Sequence, residues 1–120
     1  MNIRISKEFE KSAKKLSGKY KESLKNVILE IRAAQSIADI GNCRKLIGYN
    51  SVYRIRLGYY RMFFLLEIVE QTVFLKYLVN RGEAYSKEYQ ESLKLNDNYV
   101  RVNNEMLYYK HKVTKDTKKN

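Results

Sequence analysis

The sequence lacks proline and tryptophan altogether, and among its 120 residues it has one cysteine and one histidine. A lone cysteine, Cys43, cannot form an intrachain disulfide or a cysteine metal cluster. The lone histidine, His111, lies in a polar segment and cannot build a histidine metal site. We therefore expect a reduced protein with neither a metal nor a cofactor.

Long apolar runs and acidic residues are also scarce. The longest uninterrupted apolar run has five residues, whereas a membrane-spanning helix needs roughly 20. The first twenty residues contain no signal-peptide core, so a cytoplasmic protein without membrane contact is predicted. Thirteen acidic residues stand against 24 lysines and arginines, for a net charge of +11. This excess favours nucleic acid, a ribosome, an anionic membrane or an acidic protein as the partner.

Hydrophobic periodicity predicts an α+β fold. A short strand at 2–5 precedes two amphipathic helices, which form a hairpin on one sheet face. Four apolar stretches separated by short turns then predict an antiparallel sheet. They cover residues 44–47, 51–57, 61–68 and 72–80.

The end of the chain differs in character. Ser86 to Leu95 predicts one more helix, which the run Asn96–Asn98 is expected to break. A weakly amphipathic segment to Lys112 and a frayed basic tail follow. We therefore predict a domain over residues 1–90 and a partly helical C-terminal extension over residues 91–120.

Arginines concentrate around one predicted hairpin. Arg54 and Arg56 lie two residues apart, so in a strand they lie on the same face. Gly58 permits a tight turn, and Arg61 begins the next strand. Guanidinium groups suit a phosphate backbone because each is a planar fork of donors that keeps its charge. Any one of these arginines could be an ordinary surface residue, but their grouping favours a function.

Three motifs occur in a fixed order: CRKLIG at 43–48, YRIRLGYYR at 53–61, and Arg81 followed by Tyr85. Over residues 1–90 the chain thereby resembles the RelE/ParE superfamily of toxins from type II toxin–antitoxin systems. The resemblance implies an N-terminal strand, a two-helix hairpin and an antiparallel sheet of about four strands. It does not cover residues 91–120.

The superfamily contains two activities. RelE-like members cut mRNA in the ribosomal A site, whereas ParE-like members inhibit DNA gyrase and are not nucleases. The resemblance favours a ribosome-dependent mRNA endonuclease, with a gyrase inhibitor and an inactive RNA-binding relative as alternatives. It implies as partners a cognate antitoxin that is acidic and folds on binding, the ribosome with its mRNA, and operator DNA reached through the antitoxin complex.

Metal-independent RNA cleavage can use attack by the 2′-hydroxyl on the adjacent phosphate. We assign Arg61 and Arg81 to charge stabilisation. Tyr85 is the candidate acid or a base-stacking residue, and Glu83 is the second choice for a general base. RNA binding is assigned to Arg44, Lys45, Arg54 and Arg56. Many relatives have histidine where this chain has Asn80, which removes one possible acid or base. Neither Arg61 nor Tyr85 is expected to fill the core.

Overall fold

The computed structural model describes residues 1–118, with side chains described for residues 1–103, 105 and 106. Five strands and three helices form the fold: β1 (Asn2–Ile5), α1 (Lys7–Lys14), α2 (Gly18–Ala33), β2 (Cys43–Lys45), β3 (Val52–Leu57), β4 (Tyr60–Glu67), β5 (Thr72–Asn80) and α3 (Lys87–Lys118). One short 3-10 turn, Ile37–Asp39, lies in the connection between α2 and β2.

The five strands form a single sheet in the order β1-β5-β4-β3-β2. The pairs β2–β3, β3–β4 and β4–β5 are antiparallel, while β1 lies parallel to β5 at the edge. The helical hairpin carries the chain from β1 to the far side of the sheet. The predicted α+β class is confirmed, and the predicted order of strand, helical hairpin and antiparallel strands is confirmed as well.

The helical hairpin packs on one face of the sheet through side chains spaced at the helical period. Phe9 of α1 and Ile31 of α2 are fully buried against Met62 and Phe64 of β4. Ser6 begins α1, because its hydroxyl accepts a hydrogen bond from the Phe9 backbone N–H at 3.0 Å. The same hydroxyl donates to the Lys76 carbonyl of β5 at 2.6 Å, so this cap also joins α1 to the sheet.

Helix α3 covers the opposite face. Leu93 and Val100 are buried against Val52, Phe63 and Leu65 of the sheet. The sheet is therefore enclosed between two helical layers rather than covered on one face only. The division of the chain near residue 90 stays a prediction, although α3 crosses that position as one helix.

The predicted helix break at residues 96–98 is wrong. Asp97 is completely buried within α3, and its two carboxylate oxygens accept hydrogen bonds from the backbone N–H groups of Ser51 at 2.6 Å and Asn50 at 2.8 Å. Asn96 bonds back to the Ser92 carbonyl at 2.6 Å. The capping tendency of Asp97 is thus satisfied by a distant loop, and the helix continues. The segment predicted as a frayed tail is helical up to Lys118.

Gly58 occupies the turn between β3 and β4 with φ of +57°. A Cβ atom there would lie 2.8 Å from the Tyr20 ring. We therefore expect Gly58→Ala to lower the free energy of unfolding by about 1–3 kcal/mol, from left-handed strain and steric overlap. Urea unfolding measures this loss. Gly18→Ala is the matched control, since a Cβ at Gly18 meets nothing within 4 Å; equal midpoints for the two variants would contradict the explanation.

Candidate functional site

Strand register brings four of the predicted arginines, Arg44, Arg54, Arg56 and Arg61, onto one face of the sheet. Arg56 of β3 lies directly opposite Arg61 of β4, and Arg54 lies between Arg44 of β2 and Phe63 of β4. Directly paired residues project to the same face. Because Phe63 belongs to the core beneath α3, the arginines lie on the α3 side of the sheet.

Arg61 is buried, so the prediction that it does not contribute to the interior is wrong. Its side chain is only 7% exposed. One guanidinium nitrogen, Nη1, donates to the carbonyls of Gly58 at 2.7 Å and Tyr60 at 3.0 Å. Arg61 therefore stabilises the β3–β4 turn as well as carrying charge, because its guanidinium satisfies two backbone carbonyls there.

The guanidinium groups form one electrostatic cluster, which we call the arginine cluster. Burial lowers the pKa of Arg61 below its ordinary value. Three neighbouring guanidiniums lower this pKa further, those of Arg56, Arg54 and Arg81. Within the part of the chain whose side chains are described, none of the four forms an ion pair with a carboxylate. An anion bound here would relieve their mutual repulsion.

Tyr85 lies beside this cluster, in contact with Arg54. Its side chain is half exposed, and its ring meets the edge of the Phe63 ring at 6.3 Å between centroids. The hydroxyl accepts a hydrogen bond from Arg54 Nη1. Accepting this bond through a lone pair leaves the O–H proton available for donation. The Arg54 Nε is buried and has no acceptor among the described groups.

The segment after β5 positions the remaining candidates. The Arg81 backbone N–H donates to the Tyr59 carbonyl at 2.8 Å, which fixes the start of this segment against the β3–β4 turn. The side-chain oxygen of Asn80 accepts a hydrogen bond from the Glu83 N–H at 3.0 Å. Asn80 thus stabilises the local turn at the position where many relatives have histidine.

Glu83 and Tyr85 line different cavities. Glu83 is exposed and lines a cavity of about 210 Å³ together with Lys15 and Tyr60, whereas Tyr85 lines a groove with Arg44 and Arg54. The second-choice general base does not line that groove. Its assignment stays a prediction, with this placement against it.

A groove of about 410 Å³ adjoins Tyr85 between β2 and the first turns of α3. Its basic lining is Arg44, Lys45 and Arg54, and its aromatic lining includes Tyr49, Phe63 and Tyr85. Burial, and next the Asp97 carboxylate, raise the pKa of Tyr49. The sequence-based assignment missed Tyr49. Only tertiary contacts mark it, among them the Lys94 ammonium at 4.8 Å from its ring centroid.

The described residues contain no group of three or more His, Cys, Asp or Glu side chains placed to hold a metal ion. Burial and the nearby Glu30 raise the pKa of the Cys43 thiol to about 11, which keeps this cysteine protonated. Along residues 1–118, no helix has the length and apolar character needed to cross a membrane.

The domain thus combines an α+β fold with an arginine cluster that has no carboxylate counterion among the described side chains and that lies beside Tyr85. No family model matches the chain. It is 29% identical over 86 residues to Toxin RelE3 of Methanocaldococcus jannaschii, which covers 71% of this chain and 96% of that toxin. The crystal structure of the RelB–RelE antitoxin–toxin complex from Methanococcus jannaschii matches at TM-score 0.59 and 26% identity, over 70% of this chain and 96% of its counterpart.

The archaeal RelE–RelB complex from Pyrococcus horikoshii shares the fold at TM-score 0.59 and 21% identity, over 69% of this chain and 97% of that one. The motifs, the sheet order and these likenesses agree. The chain is therefore similar in sequence and in fold to RelE toxins, which confirms the resemblance that the sequence motifs implied.

Proposed function

We propose that this chain is the toxin of a toxin–antitoxin pair and that it cleaves mRNA on the ribosome. The observation that carries the proposal is the arginine cluster, whose positive charge lacks a carboxylate counterion among the described side chains and lies beside the Tyr85 hydroxyl. Such a site suits a phosphate group that gains negative charge during reaction, since preorganised donors stabilise the transition state more than the ground state.

The proposed reaction begins with the substrate's own 2′-oxygen. This oxygen forms a bond to the adjacent phosphorus as the bond from phosphorus to the 5′-oxygen breaks, which leaves a 2′,3′-cyclic phosphate. The 2′-hydroxyl proton passes to solvent, and Tyr85 donates its proton to the departing 5′-oxygen. Arg54 stabilises the resulting phenolate until the solvent returns a proton, while Arg61 and Arg81 face the phosphoryl oxygens.

In this proposal the ribosome positions the RNA. Among the candidate residues whose side chains are described, Tyr85 is the proton-transfer group at the arginine cluster, because Asn80 stabilises a turn and Glu83 lines another cavity. We therefore expect the chain to cleave free RNA slowly, since a single acid or base contributes a factor of only about 10²–10⁴ to the rate. Ribosomes lie in the cytoplasm, so the chain acts there.

The antitoxin is the second proposed partner. The relatives from Methanococcus jannaschii and Pyrococcus horikoshii were crystallised as complexes with RelB. A chain with net charge +11 suits an acidic antitoxin that folds as it covers the arginine cluster. The complex would reach operator DNA through the antitoxin.

Gyrase inhibition is the alternative, and one observation favours it: no described histidine, aspartate or glutamate side chain lines the groove beside Tyr85. A ParE-like inhibitor binds a protein and needs no proton transfer. The groove and the arginine cluster would then contact gyrase rather than RNA.

Primer extension on mRNA from cells that express the chain tests the proposal, alongside a gyrase supercoiling assay on the purified protein. We expect cuts in phase with codons and unimpaired supercoiling, because the site is built for a phosphate backbone. Inhibited supercoiling without cuts would establish the alternative. Strong cleavage of purified RNA without ribosomes would contradict the positioning role of the ribosome.

A further inference from the structure

Helix α3 has a second apolar face that points away from the sheet. Four side chains form it, which we call the outer stripe: Leu95, Tyr99, Val102 and Met106. They are 73%, 73%, 44% and 56% exposed, respectively. Leu93 and Val100, which pack on the sheet, lie on the other side of the same helix. The outer stripe is therefore not part of the core of this chain as described.

The spacing of the outer stripe is that of a helix-pairing seam. Its members follow one another at intervals of four, three and four residues. Apolar residues that alternate between three and four apart form the contact line between two helices in a coiled coil. In the sequence the same spacing continues at Tyr109 and Val113. A single elongated partner helix fits such a line better than a globular surface does.

The charge around this line indicates the chemistry of the partner. Beyond residue 106 the sequence has five lysines and one acid, Asp116. The heptad positions beside the stripe fall on Lys110 and Lys112, on three asparagines, and on Glu105. Glu105 is already paired with Arg101 at 3.1 Å. A partner with glutamate or aspartate at its own flanking positions would complement these lysines.

A second copy of the chain fits less well. An antiparallel pair of α3 helices that aligned both stripes would bring two copies of Glu105 together while offering no acid to the lysines. A parallel pair would place two chains, each of net charge +11, side by side. Electrostatic repulsion between the two chains would disfavour this association.

We propose that the outer stripe binds an amphipathic helix with acidic flanks. This surface lies within residues 91–120, outside the RelE-like motifs, and the M. jannaschii toxin leaves over a quarter of this chain without a counterpart. In the setting of the proposed function the antitoxin supplies the helix. That identification rests on the proposed function, whereas the surface itself rests on the stripe and its charges.

Two synthetic helices of about three heptads test the surface. Both carry leucine at the core positions; one has glutamate at every flanking position and the other has lysine. We expect the full chain to bind the glutamate helix, and the double variant Leu95→Gln/Tyr99→Gln to bind it about tenfold or more weakly, since two apolar anchors are lost. Fluorescence anisotropy measures both affinities. Lys87→Gln/Glu91→Gln is the control, because it introduces two glutamines at an exposed ion pair of α3 before the stripe begins and leaves the net charge unchanged.

Three results would overturn the proposal: equal binding of both synthetic helices, unchanged affinity in the stripe variant, or equal loss in the control. Sedimentation of the chain alone as a dimer that becomes monomeric in the stripe variant would identify a second copy as the occupant instead. Ribosome-dependent cleavage is measured in parallel. If the unmodified chain does not cleave mRNA on the ribosome, the proposed function is refuted. The proposal for the outer stripe would still hold, because peptide binding does not depend on cleavage.

Discussion

The double variant Arg56→Ala/Arg81→Ala is expected to lose ribosome-dependent cleavage while it keeps its fold. Both side chains are exposed, and neither donates a described side-chain hydrogen bond. Removal of one preorganised donor from a charge-stabilising site costs about 10²–10³ in rate, so the loss of both should place the activity below detection. The free energy of unfolding should change by about 0.5 kcal/mol or less, as is usual for surface substitutions.

Cleavage by the purified variant on mRNA-loaded ribosomes checks this expectation, with urea unfolding as the stability measurement. The control Lys11→Ala/Arg32→Ala removes two exposed positive charges from the helical hairpin, on the other face of the sheet. It should cleave as the unmodified chain does. Equal activity of the two double variants would show that only net charge matters and would remove the arginine cluster from the mechanism.

Arg61→Ala is the weaker test of the same site. Because Arg61 is buried and its guanidinium holds the Gly58 and Tyr60 carbonyls, its loss disturbs the β3–β4 turn as well as the charge. Tyr85→Phe serves better as the companion variant. It retains the ring that meets Phe63 and removes only the hydroxyl, so an activity loss of about 10²–10⁴ would report on proton transfer.

Asp97→Asn is expected to cause the largest loss of stability among conservative changes. The carboxylate accepts two backbone hydrogen bonds, from Ser51 and Asn50, in a fully buried position. An amide presents one oxygen and one NH₂ group, so one backbone N–H would face another donor. A buried donor without an acceptor costs about 1–3 kcal/mol.

Urea unfolding of Asp97→Asn measures the change, and hydrogen exchange at the amides of Asn50 and Ser51 locates it. Asn98→Asp is the control, because Asn98 is the adjacent exposed position of the same helix. We expect the two amides to lose protection in the Asp97 variant alone. An unchanged unfolding midpoint would mean that another contact holds the loop against α3.

The loop that Asp97 holds is also a wall of the candidate site. Leu46 and Tyr49 line the groove beside Tyr85, and Lys94 donates to the Gly48 carbonyl of the same loop. Stability and site geometry are therefore coupled at this point. A variant that loosens the loop should weaken binding in the groove even though it leaves the arginine cluster intact.

Much of the fold was predictable because its signals are local. The apolar positions of α1 and α2 repeat at the helical period, Ser6 caps the first helix, and short turns separate β3, β4 and β5. The α3 segment was predicted only in part. Its Asn96–Asn98 run has the composition of a helix end, and nothing nearby in the sequence shows that Asp97 bonds to a loop more than 40 residues away.

The sequence by itself determined that this is a small basic α+β protein with RelE-like motifs and with arginines on one hairpin, because strand alternation and motif order depend on neighbouring residues alone. Only the tertiary structure decided which candidates meet. Register across three strands put Arg44, Arg54 and Phe63 in one row, and the course of the chain after β5 brought Tyr85 to Arg54 while it left Glu83 in another cavity. Burial of Arg61 and the exposed outer stripe of α3 likewise follow from long-range packing, which no local pattern encodes.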